Sequence, residues 1–238
     1  MNCLKERPIV LVLACVSILT LPPTAVREAA GQIKYVYSLD YPIAQKESYL
    51  AWVRSIAPTL LAPEEIRGIV SYDNIFGVSP HRFIEFEFVD MKAASSYFER
   101  PEINQVLEHV VNYGVNGGLT VLERRADYRR SDTDERGNVK YLFGLDYPLG
   151  MKDDYIRWVQ SVADSLHAPE EINRITSYDN YFGTSPHRYI EYEFDDLKAA
   201  ARYFERPGIS RIFEDVVDHG VNGRVSILRL RRDYQAEQ

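Results

Sequence analysis

Tyr49, Trp52, Val53, Ile56 and Leu60 fall at i, i+3, i+4, i+7 and i+11, which is one face of a helix. Lys34 to Asp40 (KYVYSLD) precedes that face and predicts a tyrosine-rich strand, ended by Tyr41-Pro42. Ala62-Pro63 closes the helix, and Ile66 to Phe76 predicts a second strand. Gly77 and Ser79-Pro80 predict a turn into a third strand, Arg82 to Phe88. Asp90 is placed to cap the next helix, whose buried stripe is Ile103, Val106, Leu107, Val110 and Val111. Pro101 removes a backbone donor inside that stretch and predicts a kink or a restart. Gly114 closes the helix, and Asn116-Gly117 predicts a turn into a last strand, Leu119 to Arg125. The order is β-α-β-β-α-β.

The whole pattern then repeats. Lys34 to Tyr128 returns as Lys140 to Tyr234 without a gap, and 54 of the 95 paired positions are identical. The helix face reappears as Tyr155, Trp158, Val159, Val162 and Leu166. A period this long marks a duplicated domain rather than a solenoid. It predicts two similar sites, or one site shared across a pseudo-twofold axis. The domains are therefore 34–128 and 140–234. The eleven mostly charged residues 129–139 join them, reaching about 36 Å if extended.

The first thirty residues differ in kind. Lys5 and Arg7 precede an apolar run of 13 residues, Ile9 to Leu21, which Pro22 and Pro23 break. That is the layout of a signal peptide, and the run falls short of the roughly 20 residues that span a bilayer. Export to the periplasm or the medium is the expectation. Val12-Leu13-Ala14-Cys15 also offers a lipobox-like alternative, with membrane attachment only through Cys15. Cys3 and Cys15 are the two cysteines of the chain, so a form cleaved near Ala30 has no disulfide, thiolate metal site or cysteine nucleophile. About 200 residues suffice to bury a core without such staples. The net charge is −7 for the whole chain and −8 without the first thirty residues, which disfavours nucleic acid as a partner. Self-association stays open.

Two β-α-β-β-α-β units in tandem resemble the dimeric α/β-barrel superfamily, which includes antibiotic-biosynthesis monooxygenases, EthD-type proteins, muconolactone isomerases and chlorite dismutases. Tyr49-Leu50-Ala51-Trp52 with Ala57-Pro58 resembles the EthD-type first helix. Phe86-Glu87-Phe88, Ala93-Ala94, Tyr97-Phe98 and Pro101 resemble the strand-to-helix passage of the monooxygenase group. The resemblance spans 34 to 234. It implies an α+β fold, two ferredoxin-like repeats packed sheet to sheet as an internal pseudo-dimeric barrel. EthD-type helices often carry a histidine where this chain has Ile56 and Val162, so no catalytic residue transfers there. Haem-binding relatives use a second-helix histidine. Here His109 corresponds to Asp215, and His219 to Tyr113, which argues against two equivalent haem sites. No cofactor and no metal are expected.

Alternation along the third strand divides its side chains. Arg82, Ile84, Phe86 and Phe88 point to the helices, and His81, Phe83, Glu85 and Glu87 point away. The second copy repeats this with His187, Tyr189, Glu191 and Glu193. In a pseudo-dimeric barrel the second face lines a shared lumen. Glu85 and Glu87 are about 6.7 Å apart along the strand, and like charge with desolvation would raise their pKa values. The alternative is pairing with lysines or arginines from neighbouring strands. Tyr72 and Asn74 share a face near the end of the second strand, as do Tyr178 and Asn180. They could orient a carbonyl or phenol, or serve the hairpin. Ser79-Pro80-His81-Arg82, repeated at 185–188, carries a proton handler or simply a turn.

The candidate acid–base residues are thus Tyr72, His81, Glu85, Tyr178, His187 and Glu191. The candidate ligand contacts are Tyr35, Asn74, Phe83, Glu87, Tyr141, Asn180, Tyr189 and Glu193. Three functions fit them. The first is an exported binding protein for a small aromatic or carbonyl compound held in a Tyr/Phe/Glu-lined barrel. The second is a cofactor-independent oxygenase, isomerase or lyase. The third is a structural protein whose lumen is filled by side chains.

Overall fold

The structure, a computed structural model, describes residues 32–42, 44–130 and 136–235. The expected signal segment, 1–30, and five residues of the linker, 131–135, lie outside them. The first repeat runs β1 (Ile33–Asp40), α1 (Lys46–Leu61), β2 (Ile66–Asn74), β3 (Arg82–Phe88), α2 (Met91–Phe98), α3 (Pro101–His109) and β4 (Val115–Arg129). The second runs β5 (Val139–Asp146), α4 (Lys152–His167), β6 (Arg174–Asn180), β7 (Arg188–Phe194), α5 (Leu197–Phe204), α6 (Pro207–Asp215) and β8 (Val221–Gln235). Pro101 and Pro207 restart a helix instead of kinking one, each sitting in its first turn where no donor is needed. Asp90 and Asp196 cap α2 and α5 by accepting from Ala93 N and Ala199 N at 2.8 and 2.7 Å.

The eight strands close into one barrel in the order β1-β3-β2-β8-β5-β7-β6-β4. Packing sheet to sheet takes the form of closure. β2 pairs antiparallel with β8, and β4 with β6, so hydrogen bonds join the two repeats at both seams. Closure leaves no edge for a stray strand to extend. It also explains why the last strands are longer than expected. Each extends past its own sheet to pair with the other repeat, matching Tyr128 to Ile175 and Tyr234 to Ile69. Asn116 lies inside β4 and not in a turn before it. It adopts φ 55°, which asparagine tolerates, at a register shift opposite Asp40, and its side-chain amide donates to Asp40 Oδ2 at 2.9 Å.

Alternation produces three apolar layers. Helix-facing Ile69, Phe86 and Phe88 pack on Tyr97 and Ile103 in the first repeat. Ile175, Tyr192 and Phe194 pack on Tyr203 and Ile209 in the second. The lumen forms the third, with Val36, Val70, Tyr72 and Phe83 meeting Leu122, Leu142, Tyr178 and Leu228.

Candidate functional site

The lumen has four buried charges at its centre. Lys34 Nζ lies 2.9 Å from Glu85 and 3.0 Å from Glu191, and Lys140 Nζ lies 2.9 Å from Glu85 and 3.2 Å from Glu191. All four side chains are at most 3% exposed. Lys34 also stands 4.5 Å from the ring centre of Tyr178, and Lys140 4.1 Å from that of Tyr72. The direction of the carboxylate shifts differs from the sequence expectation. Burial pushes Glu191 up, but Lys140 and Lys34 outweigh it and hold that group well below the usual range. Glu87 is lowered too; burial opposes this, and Arg136 at 2.8 Å prevails. Lys34, despite its burial, is raised by Glu191 and Glu85. Glu193 Oε2 accepts from Gly137 N at 3.2 Å. Thus Glu85, Glu87 and Glu191 engage cations from the protein itself. Lys34 and Lys140 lie outside the third-strand pattern that points to the glutamates. They are identical in both copies, and their spacing to Val36 and Leu142 places them on the lumen face.

The remaining expected site residues scatter. Tyr72 and Tyr178 line the lumen beside the lysines, and Phe83 and Tyr189 pack there as apolar walls. Asn74 and Asn180 accept from Phe76 N and Phe182 N, each at 3.1 Å, and so serve their hairpins. His81 does not join Tyr72 and Glu85. Its backbone N donates to Asp40 Oδ1 at 3.0 Å, its ring stacks on Tyr41, and Ser79 donates to the other Asp40 oxygen at 2.7 Å. Asp146, Ser185 and His187 repeat the arrangement. Asp40 thereby ties the Ser79-Pro80 turn, whose peptide bond is cis, to the ends of β1 and β4. Tyr35 and Tyr141 face the helices.

Open space lies on that helix side. Between the outer face of the barrel and α1–α3 of the first repeat is a cavity of about 620 Å³. Tyr35, Tyr37 and Phe86 from the strands and Ile56, Phe98 and Leu107 from the helices give it apolar walls. A volume of this size suits a small organic ligand. Two polar side chains reach it from the sheet. Ser71 is 3% exposed, and its hydroxyl has no hydrogen-bond partner. Arg82 donates from Nη1 to Asp73 at 2.8 Å, while its Nε has no partner. Lys46 and Arg231 also contact Asp73, at 3.1 and 2.8 Å, and Tyr41 donates to it at 2.9 Å. Burial opposes ionisation of Asp73, but the Arg82, Tyr41 and Lys46 contacts hold its pKa at about 2. Of this cluster Arg82 alone lines the cavity, while Lys46 and Arg231 meet Asp73 from the solvent side.

The lining contains no histidine, cysteine or methionine, and His109 is exposed with its Nδ1 2.6 Å from Gln105 O. These residues do not fit a haem held through the second-helix histidine.

No family model and no curated protein matches the chain. Solved structures do match it in fold. A candidate monooxygenase of Fusobacterium nucleatum subsp. nucleatum superposes with a TM-score of 0.70 at 8% identity, over 87% of this chain and 95% of its own. A candidate monooxygenase of Lactobacillus acidophilus gives 0.64 at 13%, over 87% and 97%. An anthrone oxidase-like protein gives 0.65 at 11%, over 89% and 96%. The fold is that of the dimeric α/β barrels, here with both halves in one chain.

Proposed function

We propose that this chain is an exported protein that binds a small aromatic or carbonyl compound in the helix-side cavity of its first repeat. The observation that carries the reading is the Ser71 hydroxyl, buried without a protein partner in the wall of a largely apolar cavity beside Arg82. A buried hydroxyl without a partner costs about 1–3 kcal/mol. An oxygen-bearing ligand would remove that cost. The apolar walls would take the rings, and Ser71 with Arg82 would meet a carbonyl, phenol or enol oxygen. Because the Arg82 guanidinium lines that end with its Nε unpartnered, an oxygen that carries negative charge fits there better than one that only accepts hydrogen bonds. Export rests on the basic start and the apolar run at the N-terminus.

The same guanidinium favours one second reading, cofactor-independent oxidation of the bound compound. A developing enolate or phenolate would be stabilised at Arg82 and Ser71. The monooxygenase and oxidase names attached to proteins of this fold agree with that chemistry but do not carry it.

The test is native mass spectrometry of the protein recovered from the medium or periplasm, followed by calorimetry against hydroxy- and keto-aromatics with dissolved oxygen monitored. A bound species lost in Ser71→Ala supports binding. Oxygen uptake on its addition supports the second reading. A protein retained in the cytoplasm, or one that co-purifies with nothing and binds none of the panel, overturns the corresponding part.

A further inference from the structure

The two repeats share 54 of 95 residues, yet their helix-side spaces differ at several wall positions. Leu107, in the wall of the first cavity, corresponds to Phe213. The Phe213 ring lies 5.3 Å from Phe143, 5.7 Å from Tyr192 and 5.2 Å from Phe204, a closed aromatic cluster. Phe143 itself replaces Tyr37. At another wall, Leu61 and Tyr234 of the first cavity correspond to His167 and Tyr128. Those two rings stack at 3.9 Å, and the Tyr128 hydroxyl donates to His167 O at 3.1 Å.

The polar floor differs independently. Ser71 has no partner, whereas its twin Ser177 accepts from Arg188 Nη2 at 2.9 Å. In the second repeat the Ser177 hydroxyl is already satisfied, and the Phe213 ring fills the wall between Phe143, Tyr192 and Phe204. Both changes run the same way, although the rest of the floor is kept. Asp179 repeats the Asp73 cluster with Arg188, Lys152 and Arg125 at 2.8, 3.0 and 3.1 Å.

We infer that the chain is a one-site receptor: the first repeat holds the ligand, the second is its closed counterpart, and the residues at 107/213 and 61/167 decide which is open. This rests on the binding function proposed above for the first cavity. A leucine in place of phenylalanine removes a ring from the wall and leaves volume for a ligand ring. The second repeat then contributes β8, whose Tyr234 completes the wall of the first cavity, and Arg231, which reaches Asp73.

Two measurements on the full chain test this. Fluorescence titration uses 8-anilinonaphthalene-1-sulfonate, an apolar anion of suitable size. One site per chain is expected. Leu107→Phe is expected to weaken binding at least tenfold, and it should fold, because the twin repeat accommodates phenylalanine at the same position. Phe213→Leu combined with His167→Leu is expected to raise the stoichiometry to two. Crystals pressurised with xenon provide a readout that does not depend on the natural ligand. Xenon is expected in the first repeat of the wild type, and in both repeats of the double variant. Two equal dye sites in the wild type, xenon in its second repeat, or unchanged dye affinity in Leu107→Phe would overturn the inference. Xenon confined to the first repeat with no dye bound would support the asymmetry while counting against the proposed ligand class.

Discussion

Glu85→Gln removes one of two carboxylates that hold two buried lysines. In the wild type the four charges cancel, and each ammonium lies within 3.2 Å of both carboxylates. With glutamine at 85, Lys34 and Lys140 are left to share Glu191, with Glu87 4.0 Å from Lys34, in a site where the two lysines and Glu191 are at most 3% exposed. Breaking a buried pair by removing one partner typically costs about 3–5 kcal/mol, because the surviving charge is neither paired nor hydrated. For a folded unit of about 200 residues each kcal/mol moves the melting temperature by roughly 2–4 °C, so a drop of about 6–20 °C is expected. Calorimetric or circular-dichroism melts at pH 7 measure it. Adding Lys140→Met to Glu85→Gln restores neutrality, leaving the Lys34–Glu191 pair at 3.0 Å, and is expected to recover at least half of the loss. Replacing all four residues with methionine and leucine is expected to cost little or nothing, since apolar packing of similar volume often matches a buried ion network. A Glu85→Gln protein that melts within about 2 °C of the wild type would refute this account. It would mean that water reaches the lumen and that Glu85 is free to meet a ligand.

Other outcomes follow from the same geometry. The Asp73 pKa is lowered, so its contribution to stability is present above its ordinary value near 3.8 and is lost as pH falls through about 2; with Glu191 and Glu87 lowered in the same way, melts should hold steady to about pH 5.5 and then fall progressively, with the effect reduced in Arg82→Met. Tyr97→Phe leaves the Leu60 carbonyl without the 2.9 Å bond it receives from that buried hydroxyl, and should cost about 1–2 kcal/mol by urea titration. Deleting residues 1–30 should leave the melting temperature unchanged, because all eight strands and the three apolar layers fall within 33–235.

Much of this architecture was legible because alternation and helical spacing report burial directly. Arg82, Ile84, Phe86 and Phe88 do face the helices, and Glu85 and Glu87 do face the lumen, since a one-residue slip would bury both carboxylates among aromatic rings. The early start of β4 and β8 was hidden because Asn116-Gly117 has the composition of a turn. It serves instead as a bulge held by Asp40, a contact 76 residues away in sequence. The location of open volume was hidden for a different reason. Whether a barrel lumen is empty depends on which side chains from eight strands meet at its centre. Lys34 on β1 meets Glu191 on β7 across 157 residues, and no local pattern encodes that.

Identity between the copies therefore has more than one cause. Asp40, His81 and Asn116, like Asp146, His187 and Asn222, are kept by a clamp that each repeat needs for its own turn. Lys34, Glu85, Lys140 and Glu191 are kept by mutual neutralisation, because changing one charge leaves the other three unbalanced. Such a network resists drift in both copies at once, whether or not a ligand is present. Leu107 and Phe213 belong to neither set of contacts. A difference between duplicated repeats is then a better guide to binding than an identity. Here it points to the first cavity, where Ser71 still lacks the partner that Arg188 supplies to Ser177.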